Sequence, residues 1–177
     1  TNSASSGQQI SSLITAVTYG DTDGLATTGV AISAVTGTGS WQFSTDNTTW
    51  TDFPTVTATA ALLLDSASYV RFNADASTGS ATFTFQGWDQ FSGTASTNGS
   101  AQTADASVNG GFTAFSTGTA SASLNVTPAN NAPTIGGTPD TTTFEDTLYQ
   151  FIPEFEDADG NSLTFTIANQ PSWAAFN

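Results

Sequence analysis

Residues 81–90 read Ala81-Thr82-Phe83-Thr84-Phe85-Gln86-Gly87-Trp88-Asp89-Gln90. Ala81, Phe83 and Phe85 alternate with Thr82, Thr84 and Gln86. A period of two is the pattern of an extended strand, because successive side chains leave a pleated backbone on opposite faces. One face of this run belongs to a core, and the other faces polar surroundings. Upstream, Val30, Ile32 and Ala34 alternate with Ala31, Ser33 and Val35, a second strand. Trp41 and Phe43 alternate with Gln42 and Ser44, Thr45-Asp46-Asn47-Thr48 has turn chemistry, and Trp50 and Phe53 return on the other limb, which predicts a hairpin. Leu62-Leu63-Leu64 is a short continuous apolar run closed by Asp65 and Ser66, compatible with a buried strand edge or a single turn. Tyr69-Val70-Arg71-Phe72 reads as a strand. Downstream, Ser92 to Gly111 is Ser/Thr/Gly/Asn-rich with Asn-Gly steps at Asn98 and Asn109, and is expected to be a long mobile loop or a protruding hairpin. Ala120, Ala122, Leu124 and Val126 then alternate with Ser121, Ser123 and Asn125 as a closing strand.

At the N-terminal end, Ile10, Leu13, Ile14 and Val17 suggest a first strand or a short turn of helix, and Asp21-Thr22-Asp23-Gly24 reads as a turn. Sustained helical periodicity is absent, β-branched and aromatic residues are abundant, and turn signals recur at short spacing. The expected fold class is all-β, a β-sandwich.

The closing strand runs into Thr127-Pro128-Ala129-Asn130-Asn131-Ala132-Pro133-Thr134. Two prolines fix φ, remove backbone donors and push the preceding residue to extended geometry, so neither a helix nor a central strand passes through. The segment is a joint: residues 1–129 form a first β-sandwich, 130–133 a linker and 134–177 a second β region. In that region Phe144, Tyr149, Phe151, Phe155, Leu163, Phe165, Ile167, Trp173 and Phe176 are the core candidates. The region is shorter than the roughly 80 to 100 residues a sandwich takes, so the second domain is expected to be incomplete. Two sources for its missing strands are open: chain beyond Asn177, or another copy whose segment Gln8 to Val17 adds as a strand and builds a head-to-tail filament.

Composition narrows the function. Among 177 residues Lys+Arg total 1 against 15 Asp+Glu, the formal net charge is -14, and there is no Cys, His or Met. Phosphate recognition needs clustered Lys and Arg, which sets nucleic acid aside as a partner. No apolar run is long enough for membrane insertion as a helix. Without histidine, cysteine or lysine, catalytic triads, thiol nucleophiles and Schiff bases have no side chains to use, and no cleft signal favours a carboxylate pair. The chain is read as not an enzyme. Thr-x-Thr pairs at Thr55/Thr57/Thr59 and Thr82/Thr84 are too few and scattered for an ice-binding face.

Gly39-Ser40-Trp41-Gln42-Phe43-Ser44-Thr45-Asp46, Trp50, Leu62-Leu63-Leu64, Val70-Arg71-Phe72 and Phe85-Gln86-Gly87-Trp88-Asp89-Gln90 resemble a module repeated in cadherin-like tandem-repeat adhesins of bacterial surfaces. Ala132-Pro133-Thr134-Ile135, Phe144-Glu145-Asp146, Asp157-Ala158-Asp159-Gly160, Leu163-Thr164-Phe165 and Pro171-Ser172-Trp173-Ala174 resemble the immunoglobulin-like, dystroglycan-type cadherin-like repeat. The resemblance implies an Ig-like/cadherin-like sandwich, an extracellular or cell-surface setting, neighbouring repeats as partners, and calcium between repeats. It further implies that Glu145, Asp146 and Glu156 lie near Asp157 and Asp159, whose alternating carboxylates on a turn can share a hard cation. The ordinary alternative is a plain Asp/Gly turn. Asn130 and Asn131 of the linker offer further oxygens, although Asn130-Asn131 stands where such linkers carry Asn-Asp, one formal charge fewer. More strands also follow the tryptophan motif in that family.

Two other sets carry chemistry. Arg71, the one cation, is expected to pair with Asp75, Asp89 or Asp65 and fix sheet register, an anionic ligand being the alternative. Trp41, Trp50, Trp88 and Trp173, with Tyr19 and Tyr69, form either core or a sugar-stacking platform, with Trp50 beside Thr49 and Thr51 as the exposed candidate. The leading function is a non-catalytic structural repeat of an extracellular adhesin, filament or surface layer. The alternative is a carbohydrate-binding module with a glycan partner.

Overall fold

The computed structural model describes residues 4–17, 28–75, 78–127 and 129–176; Tyr19 and the Asp21-Thr22-Asp23-Gly24 segment lie outside them. The elements are β1 (Gln8–Gln9), α1 (Ile10–Thr15), β2 (Gly29–Thr36), β3 (Gly39–Ser44), β4 (Thr51–Asp52), β5 (Ala61–Asp65), β6 (Tyr69–Ala74), β7 (Gly79–Trp88), β8 (Thr103–Ala104), β9 (Phe115–Val126), β10 (Thr134–Gly136) and β11 (Glu154–Glu156). The chain divides into two units, Thr1–Pro128 and Ala129–Asn177.

The first unit is a sandwich of two antiparallel sheets, ordered β1-β6-β3-β4 and β8-β5-β2-β7-β9. The connections β2 to β3, β4 to β5, β5 to β6 and β6 to β7 cross between sheets. Their facing side chains make one core: Trp41 and Phe43 of β3 and Val70 and Phe72 of β6 on one side. Val30 and Ile32 of β2, Leu62 and Leu64 of β5, and Ala81, Phe83 and Phe85 of β7 face them. Trp41 bridges the layers, its ring tilted at 5.0 Å from Phe72 in its own sheet and edge-on at 4.8 Å from Phe83 in the other. Offset and edge contacts of this kind suit the ring quadrupoles.

The run at 81–88 folds as the expected strand and is flanked by β2 and β9. The alternation at 30–35 carries a correction. Ile32 pairs with Phe85 but Ala34 pairs with Thr84, so Ser33 is an extra residue in β2. The bulge shifts the phase, so that Val35, opposite Phe83, takes the position simple alternation gave to Ala34, and both residues are exposed at this end of the strand.

Leu62-Leu63-Leu64 is unbroken because β5 is covered on both faces. Leu62 and Leu64 face the sandwich core, while Leu63 enters a second cluster with Ala31, Ala61, Trp88, Ala106, Ala114 and Phe115. Residues 92–114 supply the cover, so this low-complexity stretch is neither mobile loop nor protrusion. Small residues, Ala95, Ala104, Ala106 and Ala114, let it lie flat on the outer face of the sheet. The indole Nε1 of Trp88 donates to the Ser92 carbonyl at 2.7 Å, and Thr97 bridges Ser100 across the Asn98-Gly99 turn. Gly99 sits at φ +77, where a Cβ is strained. The Asn98 side chain accepts from the Thr45 amide and the Gly99 amide donates to Thr51 Oγ1, tying the cover to the β3–β4 hairpin.

At the N-terminal end the i, i+3, i+4 spacing of Ile10, Leu13 and Ile14 wins as helix α1, with Ile10 fully buried in the sandwich core. Gln8 and Gln9 pair with Val70 and Tyr69. This segment is therefore paired within its own sheet.

In the second unit Thr134–Gly136 pairs antiparallel with Glu154–Glu156, and this is its one sheet among the described residues. Its core candidates do not form a core. Phe144 is 86% exposed and Trp173 81%, while Tyr149, Phe151, Phe155, Phe165, Ile167 and Phe176 also remain exposed. Phe155 and Phe165 do meet edge-on at 4.9 Å. Two three-residue strands have too little area to cover these rings.

Candidate functional site

The joint does not hang loose from the second unit. Asp157 Oδ1 accepts the backbone amides of Asp159 (2.9 Å) and Asn161 (3.2 Å), which winds Asp157-Ala158-Asp159-Gly160 into an Asx-stabilised turn. Gly160, at φ +72, takes the left-handed step that closes it. The turn presents the Asp159 carboxylate to the linker. Asn131 donates its backbone N–H to Asp159 Oδ2 at 2.5 Å and its side-chain Nδ2 to Oδ1 at 3.2 Å, so both carboxylate oxygens are held by one residue. Asn130 completes the clip: its Oδ1 accepts from Asn161 Nδ2 at 3.0 Å, and its own Nδ2 donates to the Asn131 carbonyl.

Of the residues expected to hold a cation, Asn130, Asn131, Asp157 and Asp159 converge. Glu145 and Asp146 do not join them: among the described residues, no group of three or more acidic side chains is close enough to hold a metal ion. Asp146 instead sits at φ +61 in a turn of its own, where the Thr147 amide bonds the Phe144 carbonyl. Asn161, four residues after Asp157, is the member that sequence reasoning missed. Its signal was the Asp-x-Asp-Gly-Asn spacing, which puts an amide at the end of the turn. Chemically the cluster offers two carboxylates and the Asn130 side-chain oxygen as hard oxygens, while Asn131 presents N–H donors to Asp159. The second asparagine matters here. A carboxylate at position 131 would repel Asp159, whereas the amide hydrogen-bonds it, so the joint is fastened without a counter-ion.

Arg71 has neighbours that sequence reasoning did not name. Across the β3–β6 ladder it stands directly opposite Gln42. Its Nε donates to Gln42 Oε1 at 2.7 Å, and Gln42 Nε2 donates on to Asp52 Oδ1 at 2.7 Å. The guanidinium lies 4.2 Å from the ring centroid of Trp50, a cation–π stack. Glutamine thus stands between the arginine and the Asp52 carboxylate, a relay across the β3–β4 and β3–β6 ladders. An arginine stacked on one face of Trp50 also leaves that face closed to a sugar. Trp50 is half-buried, Trp41 and Trp88 are core, and Trp173 alone of the four is strongly exposed.

Two carboxyls are held below their ordinary range. Asp46 Oδ1 accepts the amides of Thr49 and Thr48 and the Ser44 hydroxyl, which together stabilise its charged form in the β3–β4 turn. Asp105 is lowered by the hydroxyl and then the amide of Ser107. Both close local turns. No helix among the described residues is long and apolar enough to cross a membrane. No family model, curated protein or solved structure matches the chain.

Proposed function

We propose that this chain is a non-catalytic structural module of an extracellular or cell-surface assembly, a β-sandwich passing its load through a short joint into a second β unit. The observation that carries the reading is the clip at that joint, where Asn130 and Asn131 are bonded to the Asp157–Asn161 turn. A spacer needs a short, stiff connection, and proline-bounded chain bonded into the second unit suits one. The cadherin-like resemblance of the motifs agrees with this role. We infer further, from the carboxylates of Asp157 and Asp159 and the side-chain oxygens of Asn130 and Asn131, a calcium site of extracellular affinity, on the order of 0.1 to 1 mM. Calcium would replace the amide-to-carboxylate bonds with shared oxygen ligation and stiffen the joint.

Calorimetric titration of chelated protein with calcium tests the cation, and Asp159→Asn with Asp157→Asn tests the site. Saturable heat in the millimolar range that disappears in the double variant supports it, whereas no heat, or heat unchanged by the substitutions, ends the calcium reading. The structural role is tested separately by small-angle scattering. Asn131→Ala should broaden the distribution of distances between the units, and an unchanged profile would show that the clip does not set the joint. A second reading as a carbohydrate-binding module draws on the exposed indole of Trp173; quenching of its fluorescence across a panel of soluble polysaccharides, absent in Trp173→Ala, would favour it.

A further inference from the structure

The two sheets of the sandwich have four edges, and three are blunt. β1 and β4 end one sheet and β8 ends one side of the other, each only 2 residues long. The fourth edge is β9, 12 residues from Phe115 to Val126, and among the described residues no strand pairs with its outer side. An unpaired strand of this length presents a row of unmatched backbone donors and acceptors, which proteins usually protect with charges, prolines or brevity. β9 has none of these protections: Ser116-Thr117-Gly118-Thr119-Ala120-Ser121-Ala122-Ser123-Leu124-Asn125-Val126 contains no charged residue and no proline.

The charges of the whole chain are arranged around it. All 16 charged residues lie outside β2, β7 and β9, and none occurs between Ala106 and Pro139. Three adjacent strands therefore form a neutral strip in a molecule of net charge -14. A basic partner would be steered to the acidic surfaces and away from this strip. A partner that is itself acidic meets the least repulsion here, and another copy of this chain is such a partner.

We propose that β9 is a strand-pairing edge whose occupant is β9 of a second copy, antiparallel about a twofold axis, joining two five-stranded sheets into one. The regular part of the ladder, Thr119 to Val126, is self-complementary. About an axis at Ala122, Ala120 faces Leu124 of the partner and Ser121 faces Ser123, while Thr119 faces Asn125. The parity of this pairing keeps the half-buried Ala120, Ala122, Leu124 and Val126 on the core side and the exposed Thr119, Ser121, Ser123 and Asn125 on the outer side. The irregularity opposite Gly87, where β9 carries extra residues between Phe115 and Thr119, ends the ladder at one end. Such a contact is isologous and closes as a dimer, giving lateral pairing of modules, distinct from any head-to-tail series.

Sedimentation equilibrium of the full chain across the micromolar range, at low and at moderate salt, tests this. The expected result is a monomer–dimer equilibrium that tightens as salt screens the net charge. Ser121→Glu with Ser123→Glu sets carboxylates against one another across the axis and should weaken the dimer about tenfold or more. Thr138→Glu with Thr142→Glu adds the same charge in the second unit and should not. Both pairs of positions are exposed; if the first variant melts lower than the native chain, Thr119→Glu alone replaces it. Amide exchange at Thr119–Val126 should slow with protein concentration. A monomer at every concentration and salt, a dimer indifferent to charge at Ser121 and Ser123, or open-ended polymer would each overturn the proposal.

Discussion

Arg71 shows how one residue's neighbours set what its loss costs. Its aliphatic stem and planar head cover Trp50, and its Nε holds Gln42, which holds Asp52. Replacing it with methionine keeps cover over the indole and should cost less than about 1 kcal/mol, whereas Arg71→Ala uncovers the ring and frees Gln42, for about 1–2 kcal/mol. Urea melts of the two variants read the difference, and equal losses would show that the stem contributes nothing. Asp46 makes a prediction of a different kind. Its carboxyl is held well below the usual carboxylate range by the Thr49 and Thr48 amides. A depressed folded pKa contributes stability that is present above the unfolded value, about 4, and is lost as pH falls through the folded value. Asp46→Asn should therefore lower the melting temperature at neutral pH, with the gap to the native chain narrowing progressively below that range. A gap constant from pH 7 to strongly acid solution would mean that the cap works through shape and not through charge.

Elements in this protein are decided by what lies on both sides of them. Strand β5 is the case in point, since Leu62 and Leu64 serve one core and Leu63 another. Leu63→Ala should cost about 2–5 kcal/mol, the range of a true core leucine, although it points away from the sandwich. Its signature should be local: faster amide exchange through 95–106, with less change at β3 and β6. A cost below about 1 kcal/mol, with 92–114 exchanging freely in the native chain, would restore the mobile-loop expectation. Trp41→Ala supplies the contrast, because Trp41 touches aromatic rings of both layers. It should cost about 3–5 kcal/mol and loosen both sheets together.

At the scale of the molecule, both buried clusters draw on residues no later than Val126. The first unit is expected to fold by itself on that account. Residues 1–128 expressed alone should keep the thermal midpoint of the full chain within a few degrees, which scanning calorimetry checks; a large drop would mean that the second unit contributes stability through contacts with the first. The exposed rings of the second unit should bind an environment-sensitive naphthalene dye in the full chain, and that signal should vanish with residues 129–177.

What the sequence determined by itself is the alternation. Period-two runs at Val30, Trp41, Tyr69, Ala81 and Ala120 are local statements about which side of a pleat is apolar, and each became a strand of a β-sandwich. The prolines of the joint are equally local, and the chain divides between Pro128 and Ala129. The convergence of Asn130 and Asn131 on the Asp157–Asn161 turn was half legible, as oxygens in a linker and carboxylates on a turn. What only the tertiary structure decided are the relations between distant segments. The phase after Ser33 depends on a bulge opposite β7. The fate of 92–114 depends on an apolar outer face that a low-complexity sequence cannot announce. The neighbours of Arg71 depend on a cross-strand register that puts Gln42 opposite it. Periodicity records burial along one strand, whereas register, bulges and coverage are settled by pairing energies between strands far apart in the chain.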